Sequence, residues 1–199
     1  EGGSTTSIFG MKSLGIDPTS GQEVFVRRDG TITFDWEANE QQILGNTLPD
    51  IQGAFGLNLQ WKSLSVFASF MYEFGGQAYN MTIPSRIETV DLYNYNADRR
   101  VFTDRWIKIG DITPLKNIAD RSAYTRPTSR FVQDKNVLRF NSLSIAWTMR
   151  DGFVKRLNMS QLKFQLNMND VAYLSTVKQE RGTSYPFARI FGFTLGLSF

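Results

Sequence analysis

The pattern that most limits how this chain can fold is a long, regular alternation of apolar and polar side chains. From Gln161 to Asn169 every second residue is apolar, and the last twelve residues alternate in the same way, with Phe and Leu opposite Gly, Thr and Ser. A period of two residues predicts a β-strand with two chemically different faces. The other alternating segments are Asp50 to Trp61, Ser63 to Phe74, Leu138 to Met149 and, more weakly, Thr5 to Gly15. We therefore predict an all-β, antiparallel fold with about six long strands.

The predicted strands have the length that a membrane requires. Each runs to about ten residues or slightly more, which suits a tilted strand that crosses the hydrocarbon layer. Strands of soluble proteins usually contain about five or six residues. No segment approaches the roughly 20 apolar residues of a membrane-spanning helix. If the chain lies in a membrane, it therefore crosses as strands.

The connections between the strands alternate between long and short. Asp17 to Pro49 and Gly75 to about Asn136 are long, whereas the turn at Lys62 is very tight. Asp151 to Ser160 is fairly short, and Ser175 to Pro186 is of middle length. Bacterial outer-membrane barrels have short periplasmic turns and longer extracellular loops. With the carboxy terminus at the periplasmic end, the three longer connections would lie outside the cell.

Three local details are also predicted. The apolar positions change phase across Asn141-Ser142, and a β-bulge there would explain the change. The sequence GQEVFVRRDGTITF predicts a hairpin around the two-residue turn Asp29-Gly30. The segment from Ile87 to Trp106 is rich in Asp, Asn, Tyr and Arg, and we expect short helical turns in it.

Composition excludes several functions. The chain carries 22 Lys and Arg against 19 Asp and Glu, and the basic residues are scattered, so no nucleic-acid-binding surface is predicted. Neither cysteine nor histidine is present, which removes thiolate and imidazole metal sites and the nucleophilic triads of hydrolases. Glu37 and Glu40 are a conceivable acid and base pair, but nothing in the sequence sets their distance across a cleft. We expect no enzyme, no cofactor and no metal site.

The predicted strands are too few to close a barrel. Outer-membrane barrels contain at least about eight strands, and an open sheet in lipid would leave rows of unpaired backbone groups at several kcal/mol each. The first residues, EGGSTTSIF, also lack the basic start and apolar core of a secretory signal. We therefore expect residues 1–199 to be one part of a larger barrel, completed by an upstream part of the same protein or by another chain.

The order of segments resembles the end of SusC/RagA-type TonB-dependent transporters along nearly the whole chain. The residues that carry the resemblance are GIDPTSGQEVF with the DG hairpin, GNTLPDIQGAFGLNLQWKSLSVFASFMYEFGGQAYN, DRWIKIGD, RPTSRFVQDKNVLRFNSLSIAWTM, NDVAYLST, YPFAR and the terminal aromatic strand. Each is weak alone, and together they are specific. The family commonly has Tyr-Leu-Arg where Val137-Leu138-Arg139 stands, and often a proline near Met149-Arg150-Asp151.

The resemblance implies a barrel of about 22 strands in the bacterial outer membrane, with residues 1–199 as its carboxy-terminal part. It implies active import of oligosaccharides or peptides, driven through TonB, with a plug domain and a TonB-binding segment outside this chain. The implied partners are the upstream barrel and plug, the TonB complex, membrane lipid and a SusD-type surface lipoprotein acting as a lid. A passive or adhesive barrel without energy coupling, or a soluble carbohydrate-binding β-sandwich, remain alternatives.

Two sets of residues are candidates for specific roles. The last strand looks like the signal by which outer-membrane barrels engage their assembly machinery, although the same side chains could simply face lipid; these residues are Phe193, Leu195, Leu197 and Phe199. Aromatic faces in the longest loop could stack on sugar rings or cover a peptide, although such residues more often pack a loop against itself or against a lid; these are Tyr93, Tyr95 and Trp106.

Overall fold

The computed structural model describes residues 3–94, 96–120, 124–178 and 189–199, and over these ranges the chain is mostly β-strand. The strands are β1 (Ser7–Gly10), β2 (Lys12–Ile16), β3 (Glu23–Val26), β4 (Ile32–Thr33), β5 (Gln42–Asn46), β6 (Ile51–Trp61), β7 (Leu64–Tyr79), β8 (Val132–Met149), β9 (Gln161–Ser175) and β10 (Ile190–Ser198). Two α-helices of one turn, α1 (Arg100–Thr103) and α2 (Phe153–Arg156), and a π-helix at Ile83–Glu88 lie in the described connections between them. No helix in the described ranges is both long and apolar enough to cross a membrane.

The long strands form one antiparallel sheet in the order β10-β9-β8-β7-β6. The tight turn at Lys62 is confirmed, because Trp61 pairs with Leu64 and Lys62 takes a positive φ of 52°. Alternate side chains of β6 and β10 are apolar and exposed, as the alternation predicts. The all-β antiparallel fold class is therefore confirmed.

The apolar face of this sheet carries a row of stacked aromatic rings across three strands. The ring centroids of Phe55 and Phe70 lie 4.9 Å apart, and those of Phe70 and Phe140 lie 4.5 Å apart, with nearly parallel planes in both pairs. Rings at these distances attract one another beyond their area burial. The row links β6, β7 and β8 through side-chain contacts on this face.

The predicted β-bulge in β8 is confirmed. Its register with β9 shifts between Phe140 and Ser142. Phe140 stacks on Phe70, whereas the hydroxyl oxygen of Ser142 lies 2.8 Å from that of Ser69. Because the neighbouring residues Ser69 and Phe70 point to opposite faces of β7, Phe140 and Ser142 also point to opposite faces although only one residue separates them. An irregularity at Asn141 permits this switch.

The prediction that Thr5 to Gly15 is a long strand of this sheet is wrong. The segment forms β1, which pairs with β5, and β2, which pairs with β3 in a separate sheet with β4. Fully buried Met11 separates these short strands and bridges to Thr128. The described sheet thus contains five long strands instead of six.

The hairpin around Asp29-Gly30 is confirmed, but its turn is longer than predicted. Arg27 and Thr31 close the hairpin, since the amide of Arg27 donates to the carbonyl of Thr31 over 2.9 Å. The amide of Gly30 donates back to Arg27, and Gly30 takes a φ of 89°. Three residues therefore form the loop, with glycine at the left-handed position that such loops require.

Strands β7, β8 and β9 run to 16, 18 and 15 residues and extend past the alternating segments. The residues that extend β7 and β8 are mostly polar or glycine, so alternation did not reveal them. By its contacts the chain divides into a loop unit (Glu1–Leu48 and Gly76–Asp134) and a sheet unit (Pro49–Gly75 and Lys135–Phe199).

Candidate functional site

The loop unit is organised around the guanidinium group of Arg130. Arg130 follows Thr128, whose side chain caps a short 3-10 turn at Ser129–Phe131. Its Nε and Nη2 donate to the two carboxylate oxygens of Glu23 over 2.8 and 2.6 Å. This two-bond geometry matches the planar guanidinium to the planar carboxylate and is the strongest form of ion pair.

The same guanidinium binds a second carboxylate, Glu88, which is fully buried. Nη1 and Nη2 of Arg130 donate to Glu88 over 2.8 and 3.0 Å. The Thr125 hydroxyl and the Lys116 amide also donate to Glu88, over 2.7 and 3.1 Å. We call Glu23, Glu88 and Arg130, with the donors Thr125 and Lys116, the ion network.

Electrostatics keep the ion network charged. Burial alone would raise the pKa of Glu88, but the charge of Arg130 and the hydrogen bonds from Arg130, Thr125 and Lys116 outweigh it and hold the pKa below its usual value. Burial alone would lower the pKa of Arg130, but its two carboxylate partners raise it further above its ordinary value. Both groups therefore stay ionised at neutral pH.

The chain around the ion network is packed as a small core. Ile87, Val101 and Leu115 form a buried cluster. Arg105 is also buried, and its Nη2 donates to the carbonyls of Ile87 and Glu88 over 2.6 and 2.7 Å. The longest connection of the sequence is thus an ordered body in its described part.

A cavity of about 270 Å³ opens in the loop unit beside the ion network. Glu23, Lys116 and Thr125 belong both to its wall and to the network. The remaining wall combines aromatic and charged side chains, chiefly Phe25, Phe34, Asp35, Trp36, Tyr124 and Arg126. We call this space the loop cavity.

Arg126 and two aromatic rings shape one side of the loop cavity. The Trp36 indole N–H donates to the carbonyl of Pro127 over 3.1 Å, which fixes the ring. The guanidinium carbon of Arg126 lies 5.5 Å from the Trp36 ring centroid and 5.6 Å from that of Tyr124. These are cation–π distances.

The predicted contact residues of the longest loop have different surroundings. Tyr93 is 89% exposed, Trp106 is 8% exposed, and Tyr95 lies outside the described residues. The Trp106 indole N–H donates to the carbonyl of Pro18 over 2.9 Å, and its ring packs against Gly21. Trp106 therefore offers little free surface as it stands, and contact of these residues with a substrate stays a prediction.

The four residues of the predicted assembly signal lie in β10 or directly after it. Phe193, Leu195 and Leu197 occupy alternate positions and are each more than half exposed, and Phe199 is 85% exposed. The Phe193 ring lies 6.3 Å from that of Phe164 in β9. They form part of the apolar face of the sheet, and their role in assembly stays a prediction.

Sequence reasoning did not find the ion network or the loop cavity. Arg130 lies 107 positions from Glu23 and 42 from Glu88, and charged residues are frequent enough that no pairing stands out. The aromatic side chains of the cavity come from three separate short segments, 22–25, 34–36 and 124–126. The sequence contains one related signal. The long connections that form the network and the cavity are polar and lack the alternation of the strands.

A search of known proteins relates the chain to a bacterial receptor. An alignment 163 residues long, which covers 79% of this chain and 15% of the other protein, shows 22% identity to TonB-dependent receptor P3 of Formosa agariphila. The chain resembles a TonB-dependent receptor. This supports the family resemblance read from the sequence segments. No protein-family model matches the chain.

Solved transporter structures share the fold of this receptor-like chain. It superposes on the RagAB peptide transporter with a TM-score of 0.76 and 20% identity, over 97% of this chain and 23% of that one. The RagAB peptide importer in its open-open state gives a TM-score of 0.77 and 19% identity, over 97% and 22% of the two chains. The chain thus spans under a quarter of the proteins that it resembles. Those names denote a receptor and transporters rather than enzymes, which agrees with the sequence prediction.

Proposed function

We propose that this chain is the carboxy-terminal part of the barrel of a bacterial outer-membrane importer that takes up peptides or oligosaccharides. The observation that carries the proposal is the five-stranded antiparallel sheet with an exposed apolar face, in a fold shared with the RagAB transporter over 97% of the chain. A transporter built on this sheet needs further strands along both of its edges, β6 and β10.

The chemistry of the sheet faces supports a membrane location. Leu57, Trp61 and Leu195 are each more than half exposed and belong to the apolar face of the sheet. Soluble proteins rarely expose an apolar patch larger than a few hundred Å². In lipid the same apolar surface is not exposed to water. The alternate polar residues, such as Gln165 and Asn167, then face the barrel interior.

The proposed orientation follows from the connections. The turn at Lys62 and the short connection that contains α2 lie on the periplasmic side with the carboxy terminus. The loop unit is extracellular, and the terminal residues Phe193, Leu195, Leu197 and Phe199 act as the assembly signal. The barrel contains about 22 strands in total.

Energy coupling and a lid complete the proposal. The resemblance to TonB-dependent receptors supports a plug domain and a TonB-binding segment elsewhere in the protein, so that transport uses energy supplied through TonB. A SusD-type surface lipoprotein covers the extracellular loops, and the ordered loop unit offers it a preformed surface. A passive or adhesive barrel would need neither energy coupling nor a lid.

Uptake by living cells tests this function. The complete gene is expressed in a bacterial host that lacks related importers, and accumulation of radiolabelled oligopeptides and oligosaccharides is measured with and without a functional TonB. We expect accumulation of one ligand class that is lost without TonB. Accumulation that persists without TonB would contradict active import and favour the passive barrel.

Membrane location is tested separately by fractionation. We expect the native protein in the outer-membrane fraction, extracted only by detergent. Recovery in the aqueous fraction without detergent would defeat both membrane proposals and leave the soluble carbohydrate-binding β-sandwich.

A further inference from the structure

We infer that the loop cavity is a binding site for a carboxylate-bearing ligand, with Arg126 as the group that binds the carboxylate and with Trp36 and Tyr124 as the apolar surface beside it. The inference deepens the proposed function and rests on it, because it names the ligand chemistry that the importer would select. The carboxylate could belong to a peptide or to an acidic sugar.

The state of Arg126 is the first reason. Its guanidinium lies over two aromatic rings, and within the described ranges no carboxylate or carbonyl accepts a hydrogen bond from it. A guanidinium offers five N–H donors in a fixed plane and has no acceptor. The two rings contact the guanidinium through its charge and accept none of its hydrogen bonds in the described part of the chain, so its N–H donors are available to a ligand.

The contrast with Arg130 supports this assignment. Arg130 is nine-tenths buried, and its donors are taken by Glu23, Glu88 and the carbonyl of Pro114. Arg126 is exposed at the cavity wall. A carboxylate that enters the cavity can bind Arg126 with the two-bond geometry that Arg130 already makes with Glu23.

The second reason is that hydrogen bonds hold the cavity wall on both sides of Arg126 before any ligand arrives. Trp36 is fixed by its hydrogen bond to Pro127, the residue next to Arg126. Thr125, on the other side of Arg126, donates to buried Glu88. A wall held in place from both sides loses little conformational freedom on binding, which favours affinity.

The size and mixed chemistry of the cavity set the ligand class. A cavity of about 270 Å³ accommodates part of a short peptide or oligosaccharide but not a folded protein partner. Exposed Asp35 lies in the same wall and suits an amino or hydroxyl group of the ligand. A short peptide or a uronic-acid oligosaccharide presents these groups together.

Binding to the complete, detergent-solubilised protein tests the inference. Fluorescence anisotropy is measured with three labelled probes: a tetrapeptide with a free terminal carboxylate, the same peptide as its amide, and a trimer of galacturonate. The variants are Arg126→Gln in the cavity and Arg86→Gln as the control, because Arg86 is an exposed arginine of the same unit outside the cavity. Tyr124→Ala, at a 63% exposed position, is a second variant that does not threaten folding.

We expect Arg126→Gln to weaken binding of a carboxylate probe by about ten- to a hundredfold, as loss of hydrogen bonds to a charged group does. Tyr124→Ala should weaken it severalfold, and Arg86→Gln should not change it. Comparison of the peptide acid with the galacturonate trimer shows whether the bound carboxylate is that of a peptide or of an acidic sugar. The peptide amide has no terminal carboxylate, so it should bind equally to the native protein and to Arg126→Gln. Equal binding of the carboxylate probes to native protein and Arg126→Gln would overturn the inference.

The proposed function and the inference fail in different ways. If no tested ligand shows TonB-dependent uptake, the proposed importer function is wrong, whatever the effect of Arg126→Gln on binding. Normal TonB-dependent uptake together with unchanged carboxylate binding by Arg126→Gln would defeat only the assignment of the loop cavity.

Discussion

Replacing Arg130 by methionine should destabilise the loop unit and leave the sheet unit in place. The guanidinium makes five hydrogen bonds, two to Glu23, two to Glu88 and one to the carbonyl of Pro114. Methionine fills much of the volume but leaves two buried carboxylates without their cation. Breaking a buried ion pair in this way costs about 3–5 kcal/mol, which should open a body as small as the loop unit.

A surface ion pair of the same unit is the matched control. Arg27 pairs with Glu37, but both side chains are about one-third exposed. Exposed pairs contribute about 0–1 kcal/mol, so Arg27→Met should have little effect. The triple variant Arg130→Met/Glu23→Gln/Glu88→Gln removes the buried charges together, and it should recover at least half of the lost stability.

Hydrogen exchange followed by mass spectrometry measures the local stability of the loop unit in the complete protein. In Arg130→Met, peptides that cover Glu88 and Lys116 should lose protection, while peptides from β6 and β9 keep theirs. Arg27→Met should retain protection throughout. Equal protection in Arg130→Met and Arg27→Met would refute the reasoning, because the ion network would then not hold the loop unit.

The ion network also predicts a dependence on pH. The pKa of Glu88 is lower in the folded chain than its ordinary value of 4.5. Its contribution to stability is therefore fully present above that value and is lost as the pH falls through the lower folded pKa. Protection near Glu88, corrected for intrinsic exchange rates, should stay constant from pH 7 to about 5 and fall at lower pH. Glu88→Gln should abolish this acid-dependent loss, and a loss that persists unchanged in the variant would contradict the assignment.

Two further pairs of substitutions test the sheet and the loop packing. Leu195→Arg on the apolar face should cost about 2–4 kcal/mol if the residue lies near the bilayer centre and should deplete the protein from the outer-membrane fraction. Thr194→Arg, on the opposite face of β10, should be tolerated, and equal depletion would argue against the assigned faces. Gly21→Ala should destabilise the loop unit more than Gly30→Ala, as measured by loop proteolysis, because both have positive φ but only at Gly21 would the added carbon meet the Trp106 ring, at 2.5 Å. Equal sensitivity of the two alanine variants would contradict the packing of Trp106.

The sequence predicted the parts of the fold in which the two faces of a strand differ in polarity. Between Gln161 and Asn169 apolar and polar side chains point to opposite faces of β9, so the strand appears as alternation. The same logic located the bulge at Asn141, where the apolar phase changes. The polar extensions of β7 and β8 lack this alternation of apolar and polar residues, so the sequence did not predict that they are strands.

The candidate site was much less predictable, because it depends on contacts between distant parts of the chain. Tyr93 and Trp106 look alike as loop aromatics in the sequence, yet one is exposed and the other buried. Their difference depends on Gly21 and the carbonyl of Pro18, more than 80 positions from Trp106. Likewise, Thr5 to Gly15 alternates weakly but divides at Met11, because that side chain packs inside the loop unit.

Cysteine labelling in intact cells tests the central claim most directly. The chain contains no cysteine, so single cysteines report position without interference from its own residues. The variants are Tyr93→Cys in the loop unit and Lys62→Cys at the tight turn, in the complete protein with any other cysteine replaced. With a membrane-impermeant maleimide, we expect Tyr93→Cys to react in intact cells and Lys62→Cys to react only after the outer membrane is permeabilised. Reaction of Lys62→Cys in intact cells would contradict a sheet that spans the outer membrane in this orientation.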